Sequence, residues 1–366
     1  MVTKLPSGRM TQIKPIENNS VITDRDGITE NIHRVHVAVT DSHGKILYAV
    51  GNPARVTLAR SAAKPAQALA VIETGGFQDA GFDDIDLALM CASHNAEEIH
   101  VERARSMLVK AKAQESDYRC GGHASLNPAV NRDWAQKGLD VTGGVYNNCS
   151  GKHAGMMAGA LALGASITDY HSPDHPMQVR VKKVAEELCP EPSLVQWATD
   201  GCNLPAPAFP LYYLAHTFAI FAAGADSAEQ EDSPSPRTRN LARIFSAMSS
   251  YPEFVAGEGR FCTDLMQVYK GQLIGKVGAD GCYGVGIRES EQTRSIGARG
   301  SLGISVKVDD GSLDILYAVV VEVLEQLNIG TSDTRQALEK WHQFKRKNTM
   351  DVVVGSVSFD FKLQLA

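Results

Sequence analysis

The chain has no run of about 18 uncharged apolar residues, the length a bilayer-spanning helix needs. Its first 20 residues hold polar groups and prolines but no apolar core of signal-peptide length, which predicts a soluble, cytoplasmic protein. A surplus of basic charge is missing too, because 36 Lys and Arg stand against 42 Asp and Glu for a net charge of −6. That balance disfavours a nucleic-acid partner, which calls for a basic face. Seven cysteines, an odd number dispersed over 366 residues, do not make a disulfide framework. Reduced thiols, some of them available as metal ligands, are expected. Gly257-Glu258-Gly259 lacks the third glycine and the strand-to-helix frame of a dinucleotide fingerprint, so nucleotide binding is set aside.

What is present is an ordinary globular composition, 43% apolar and 21% charged, on a chain long enough for one large domain or two smaller ones. Residues 33–39 alternate, Asp41-Ser42-His43-Gly44 supplies a turn, and Ile46-Leu47-Tyr48-Ala49-Val50 follows, the pattern of a β-hairpin. Residues 60–73 are rich in helix formers and end at Gly75-Gly76, with Pro65 compatible only with a first turn. Helical spacing recurs at 96–113, at the small-residue stretch 152–170 and at 179–188. Residues 224–237 gather Ser, Pro, Asp and Glu and read as an exposed loop. Strand patterns return at 272–278, 282–287 and 302–308, a helix at 313–327, and strands again at 352–354 and 357–361. The predicted fold class is α+β. A mobile arm over residues 1–20 precedes a single unit over 21–366, with a sheet lobe (about 21–60 and 260–366) drawn from both chain ends and a mainly helical lobe (about 61–259) inserted.

Three short motifs carry chemistry. Ser61-Ala62-Ala63-Lys64 is S-x-x-K, Ser93-His94-Asn95 is S-x-N, and Lys276-Val277-Gly278 is K-x-G, in the order used by acyl-transfer enzymes of the penicillin-recognising group. A serine hydroxyl is a weak nucleophile at neutral pH, and a lysine three residues on lies one turn away on the same face, where it can take the proton. To do so it must be neutral, a fall of roughly 3 units from about 10.4, on the order of 4 kcal/mol, which burial beside a second amine supplies. Lys276 is that second amine. Ser61 is read as the attacking group and Lys64 as its base, with Ser93 and Lys276 relaying protons and polarising the acyl oxygen or leaving nitrogen. Ser61 is favoured for acylation because local helix geometry fixes its lysine.

Longer strings surround these motifs: Arg60-Ser61-Ala62-Ala63-Lys64-Pro65, Cys91-Ala92-Ser93-His94, Asn148-Cys149-Ser150-Gly151-Lys152-His153, Asp200-Gly201-Cys202-Asn203-Leu204-Pro205 and Gly275-Lys276-Val277-Gly278-Ala279-Asp280. Together they closely resemble the rhizobial-type, or class 3, L-asparaginases over about residues 22–362. The resemblance implies a fold related to serine β-lactamases and glutaminases, a homodimer, and hydrolysis of L-asparagine to L-aspartate and ammonia. It implies Ser61 with Lys64 and Ser93 with Lys276 as the catalytic tandems. It further implies one zinc ion per chain beside the substrate pocket, with Cys149, Lys152 and Cys202 matching the ligands and the metal aiding substrate positioning. Without it, two buried thiols would read as small core side chains. For the charged ends of asparagine, Arg60 is a candidate for the carboxylate or for ordering the nucleophile. Asp200 is a candidate for the ammonium or a zinc-bound water, and His153 for orienting either.

Other features read as structural. Cys120-Gly121-Gly122-His123 is a tight turn, and His171 and His175 flank a loop leading into a helix. Two rival functions remain. A glutaminase or related serine amidohydrolase differs by as little as one substrate methylene. A catalytically silent zinc-binding amino-acid sensor would keep two costly buried amines without using them.

Overall fold

Asp26 and Gly27 take positive φ values of 49° and 82°, the two-residue turn that matches the right-handed twist of paired strands. In the computed structural model, which describes residues 18–366, this turn joins strand Ser20–Arg25 to the long strand Ile28–Asp41. Residues 1–17 of the expected arm lie outside the described residues, and Ser20 already belongs to a strand. The hairpin expected at 33–50 is present. Ile28–Asp41 pairs antiparallel with Ile46–Val50, and the Asp41 carboxylate closes the turn by accepting from the His43 and Lys45 N–H groups.

The main sheet is antiparallel and runs Val357–Asp360, Ser20–Arg25, Ile28–Asp41, Leu302–Val308, Cys282–Ile287, Leu273–Gly278. Ile46–Val50 and Gln364–Leu365 branch from it. Its strands thus come from both chain ends, around a middle rich in helices, and the architecture is α+β. Both faces of the central strands are covered. On one face the backbone itself is bare: a Cβ at Gly303 would stand 1.8 Å from the Ala215 carbonyl oxygen, and one at Gly284 would stand 2.2 Å from the Phe218 ring. Glycine there lets helix Leu211–Gln230 lie directly on the sheet. Alternation turns Tyr283 to the opposite face, where its ring packs on Phe261 and on Tyr317 of helix Leu313–Gln326.

Two expectations need correction. The segment 224–237 is not a loop: Leu211–Gln230 runs through its first half, Pro236–Ser250 begins at its end, and only residues 231–235 connect them. Buried Asp226 explains the continuation, since it accepts from Arg288 Nε (2.7 Å), Ser301 Oγ (2.6 Å) and the Glu289 N–H (2.8 Å) rather than from water. The middle of the chain also holds a three-stranded antiparallel sheet of Val56–Leu58, Pro205–Pro210 and Gln196–Thr199. Its central strand carries Pro205, Pro207 and Pro210, a composition that argues against a paired strand. Among the described residues no helix is long and apolar enough to cross a membrane.

Candidate active site

A Cβ at Gly278 would stand 2.4 Å from the Ala59 carbonyl oxygen, so the strand that carries Lys276 passes directly against the turn that carries Ser61. That turn, Arg60–Ala63, is a 3₁₀ segment running into helix Lys64–Glu73, with Pro65 in the first helical turn as expected. Arg60 sits in the left-handed region at φ 49°, held there by Asp200 Oδ1 at 2.7 Å from its Nε and by Asp280 on its Nη1. Ser93 follows helix Asp84–Met90 on a connection fastened at both sides. The Ser93 N–H donates to Val255 O and the Asn95 N–H to Ala256 O, each at 2.9 Å. Ser61 and Ser93 line one cavity of about 460 Å³ together with Asn148, Arg260, Tyr317 and Trp341. That volume suits a small ligand.

Both lysines converge on Ser93. Lys276 Nζ lies 2.8 Å from Ser93 Oγ and 2.8 Å from Val277 O. Lys64 Nζ lies 3.2 Å from Ser93 Oγ and 3.4 Å from Asn148 O, and it also donates to Ala92 O. Among the described residues no hydrogen bond joins Lys64 Nζ to the Ser61 hydroxyl. An ammonium has three N–H groups, and Ala92 O, Ser93 Oγ and Asn148 O use all three. Local spacing brings Lys64 to the site, but remote carbonyls decide where its nitrogen points. Burial pulls the Lys276 amine down to about 7, with the Lys64 ammonium acting in the same direction and Arg260 adding to it.

The three residues singled out for zinc also meet. Cys149 precedes helix Ser150–Ala162, Lys152 lies in its first turn, and Cys202 sits on the loop before Pro205–Pro210. All three are buried, with Lys152 Nζ 3.0 Å from Cys202 Sγ and 4.0 Å from Asp200 Oδ2. A hydrogen bond from the Cys149 thiol holds Cys202 well below the usual thiol range despite burial, and the Lys152 ammonium helps. The same bond, with burial, pushes Cys149 up to about 12. The two thiols fit a thiophilic divalent ion in donor chemistry, while the Lys152 amine, raised despite burial by both thiols and Asp200, would have to lose its proton to join them.

None of Arg60, His153 and Asp200 lines the cavity of Ser61 and Ser93, although Arg60 lines a neighbouring one that shares Ala279 and Asp280 with it. His153 is fully buried, its Nδ1 2.6 Å from the Tyr170 hydroxyl and its Nε2 without a partner among the described residues. Burial and the Lys152 charge pull it down to about 3, which keeps the imidazole neutral. Arg60 and Asp200 hold each other. Of the cavity residues that escaped the sequence reading, Arg260 is the cation, and its Nη1 reaches Asn95 Oδ1 at 2.9 Å and Ser93 O at 3.3 Å. No motif surrounds it, and its partners lie more than 160 residues away in the chain. Nor did spacing reveal His342, which lies between Glu322 (2.8 Å) and Glu325 (3.4 Å) far from any motif.

A buried hydroxyl held between two amines, one of them poised near neutrality at the wall of a cavity, is the construction of an enzyme site. The L-asparaginase II family model matches residues 21–359, and the chain belongs to that family. It is an amidohydrolase of the L-asparaginase type. The comparison with curated proteins gave no match.

Proposed function

We propose that the chain hydrolyses L-asparagine to L-aspartate and ammonia through a serine acyl-enzyme, with Ser61, Lys64, Ser93 and Lys276 as the catalytic groups. The observation that carries this reading is the Lys276 amine, lowered to about 7 and 2.8 Å from Ser93 Oγ. When neutral, its lone pair takes the Ser93 proton while an N–H donates to Val277 O. Ser93 Oγ then bonds to the amide carbon, the C–N bond breaks, and the Lys276 ammonium returns its proton to the leaving nitrogen as ammonia. Water, deprotonated by the same amine, attacks the ester carbon, the C–Oγ bond breaks, and the Lys276 ammonium returns the proton to Ser93 Oγ as aspartate leaves. Lys64 Nζ, 3.2 Å away, donates a hydrogen bond to the reacting oxygen.

A second reading has support of its own. Ser61 is partly exposed, lines the same cavity, and no described residue engages its hydroxyl, so it is the freer of the two nucleophiles. Trapping the acyl-enzyme and mapping the modified peptide decides between the serines. In the same proposal Cys149, Lys152 and Cys202 hold one zinc ion, which when bound supplies a fixed positive charge beside the substrate pocket. Elemental analysis finding no metal in protein prepared without chelator removes that element. The homodimer, the cytoplasmic location and the kinship with serine β-lactamases and glutaminases belong to the proposal as well. For the last of these, the support is the helix-start S-x-x-K facing a K-x-G strand of an antiparallel sheet. Ammonia release from L-asparagine, with L-glutamine run alongside, tests the activity. Faster release from asparagine is expected. Preference for glutamine would make the chain a glutaminase, and tight binding without release would make it a sensor.

A further inference from the structure

Three other guanidinium groups that reach into the fold each hold a carboxylate: Arg60 holds Asp200, Arg103 holds Asp86 and Arg288 holds Asp226. Arg260 is only 9% exposed, yet no carboxylate lies within 4.0 Å of it among the described residues. It lines the cavity that Ser61 and Ser93 share. Its Nη1 is engaged by Asn95 Oδ1 and by the carbonyl of Ser93 itself, which fixes the guanidinium one residue-length from the reacting hydroxyl. Beyond those two acceptors of Nη1, the guanidinium has only the Tyr317 phenol oxygen beside it in the cavity wall among the described residues. Asp280 and Asp314 also line the cavity, but the first is taken by Arg60 and neither reaches Arg260. A cation this deep without a counter-ion is costly unless an anion arrives to complete it. The planar fork of N–H groups that a guanidinium presents matches a carboxylate in shape.

We infer that Arg260 receives the α-carboxylate of the substrate, so that the site selects ω-amides of free amino acids over amides that lack this carboxylate. The inference rests on the amidohydrolase reading above and names how that site recognises its substrate class. It also moves the carboxylate contact away from Arg60, whose guanidinium Asp200 and Asp280 already occupy. With the carboxylate on Arg260, the substrate is tethered to the same short segment, Ser93 to Asn95, that carries the Ser93 hydroxyl. A side chain longer by one methylene then places its amide differently relative to Ser93 Oγ.

The test compares L-asparagine with 3-aminopropanamide, the same amide without the α-carboxylate. Turnover, or competitive inhibition where turnover is slow, is measured for the wild type, Arg260→Lys and Arg260→Met. For L-asparagine, KM is expected to rise roughly 100-fold in Arg260→Met, with kcat falling less and Arg260→Lys recovering part of the loss. For 3-aminopropanamide the three proteins should be nearly alike. An equal loss for both amides would mean that Arg260 only props the Ser93 segment, and would overturn the inference. If Arg260→Met does not fold, Arg260→Gln, which keeps donors for Ser93 O and Asn95, carries the same comparison with Arg260→Lys. A wild type that hydrolyses neither amide sinks both readings together, whereas L-asparagine hydrolysis with a KM indifferent to residue 260 sinks this one alone.

Discussion

Lys276 is fully buried with its amine lowered from 10.5 to about 7, and the sign of the consequences follows from that shift. Only the neutral amine can accept a proton, so kcat/KM should rise with pH through an apparent pKa near 7. Between about 7 and 10.5 the unfolded chain holds a proton that the native chain has released. The stability owed to this group therefore grows with pH over that window and is fully lost once the pH falls below 7. Lys276→Met is expected to reduce hydrolysis by about 10²–10⁴-fold. It should nonetheless raise the thermal midpoint at neutral pH, by about 1–3 kcal/mol of stability that shrinks as the pH climbs towards the ordinary lysine range. Calorimetry across pH checks this, and a midpoint that falls, or a gain that ignores pH, would show that the native amine stays charged. Ser61, Lys64, Ser93 and Lys276 could be singled out because each lies in a short motif with fixed spacing. That both amines point to Ser93 was not legible, because Lys64 also answers to carbonyls of Ala92 and Asn148 that no local pattern connects to it.

At the scale of elements, the amphipathic and alternating stretches were readable, and the ones defined by long-range contacts were not. The hairpin at 33–50 and the strands Leu273–Gly278, Cys282–Ile287 and Leu302–Val308 follow directly from alternation and turn residues. The Asp26-Gly27 turn offered an equally strong hairpin signal, which the reading of 1–20 as an arm left unused. Helix Leu211–Gln230 was hidden for a physical reason: its polar end is satisfied by Arg288, Ser301 and Glu289 from the sheet side, so its composition imitates a solvated loop. Its seat on Gly303 gives a direct check. Gly303→Ala would force a Cβ to within 1.8 Å of the Ala215 carbonyl, and since this neighbour is backbone it cannot rotate away. A loss of about 1–3 kcal/mol or more is expected in urea denaturation, and an unchanged midpoint would mean that helix and sheet are not in contact there.

The whole molecule is closed by its own ends, which bears on the cavity. Strand Val357–Asp360 pairs with Ser20–Arg25, and Gln364–Leu365 pairs with Ile46–Val50. The same C-terminal segment buttresses helix Leu313–Gln326, whose first two turns supply Asp314 and Tyr317 to the cavity. Gln326 Nε2 donates to Phe361 O at 3.3 Å and Gln326 Oε1 accepts from the Leu363 N–H at 2.8 Å. Phe359 stacks on His342, which in turn bonds to Glu322 of that helix. Val357 and Phe361 are both buried, so deleting the chain from residue 357 onwards removes two core side chains, each contributing about 1.5–3 kcal/mol, for roughly 3–6 kcal/mol in all. The truncated protein should unfold at markedly lower urea. Under conditions where it remains folded, its KM for L-asparagine should rise more than its kcat falls, because the wall bearing Tyr317 loses its support while the Ser93 segment, fastened to Val255 and Ala256, keeps its own. Equal losses in both constants would place the damage at the nucleophile instead and break the proposed link between the closing strand and the substrate cavity.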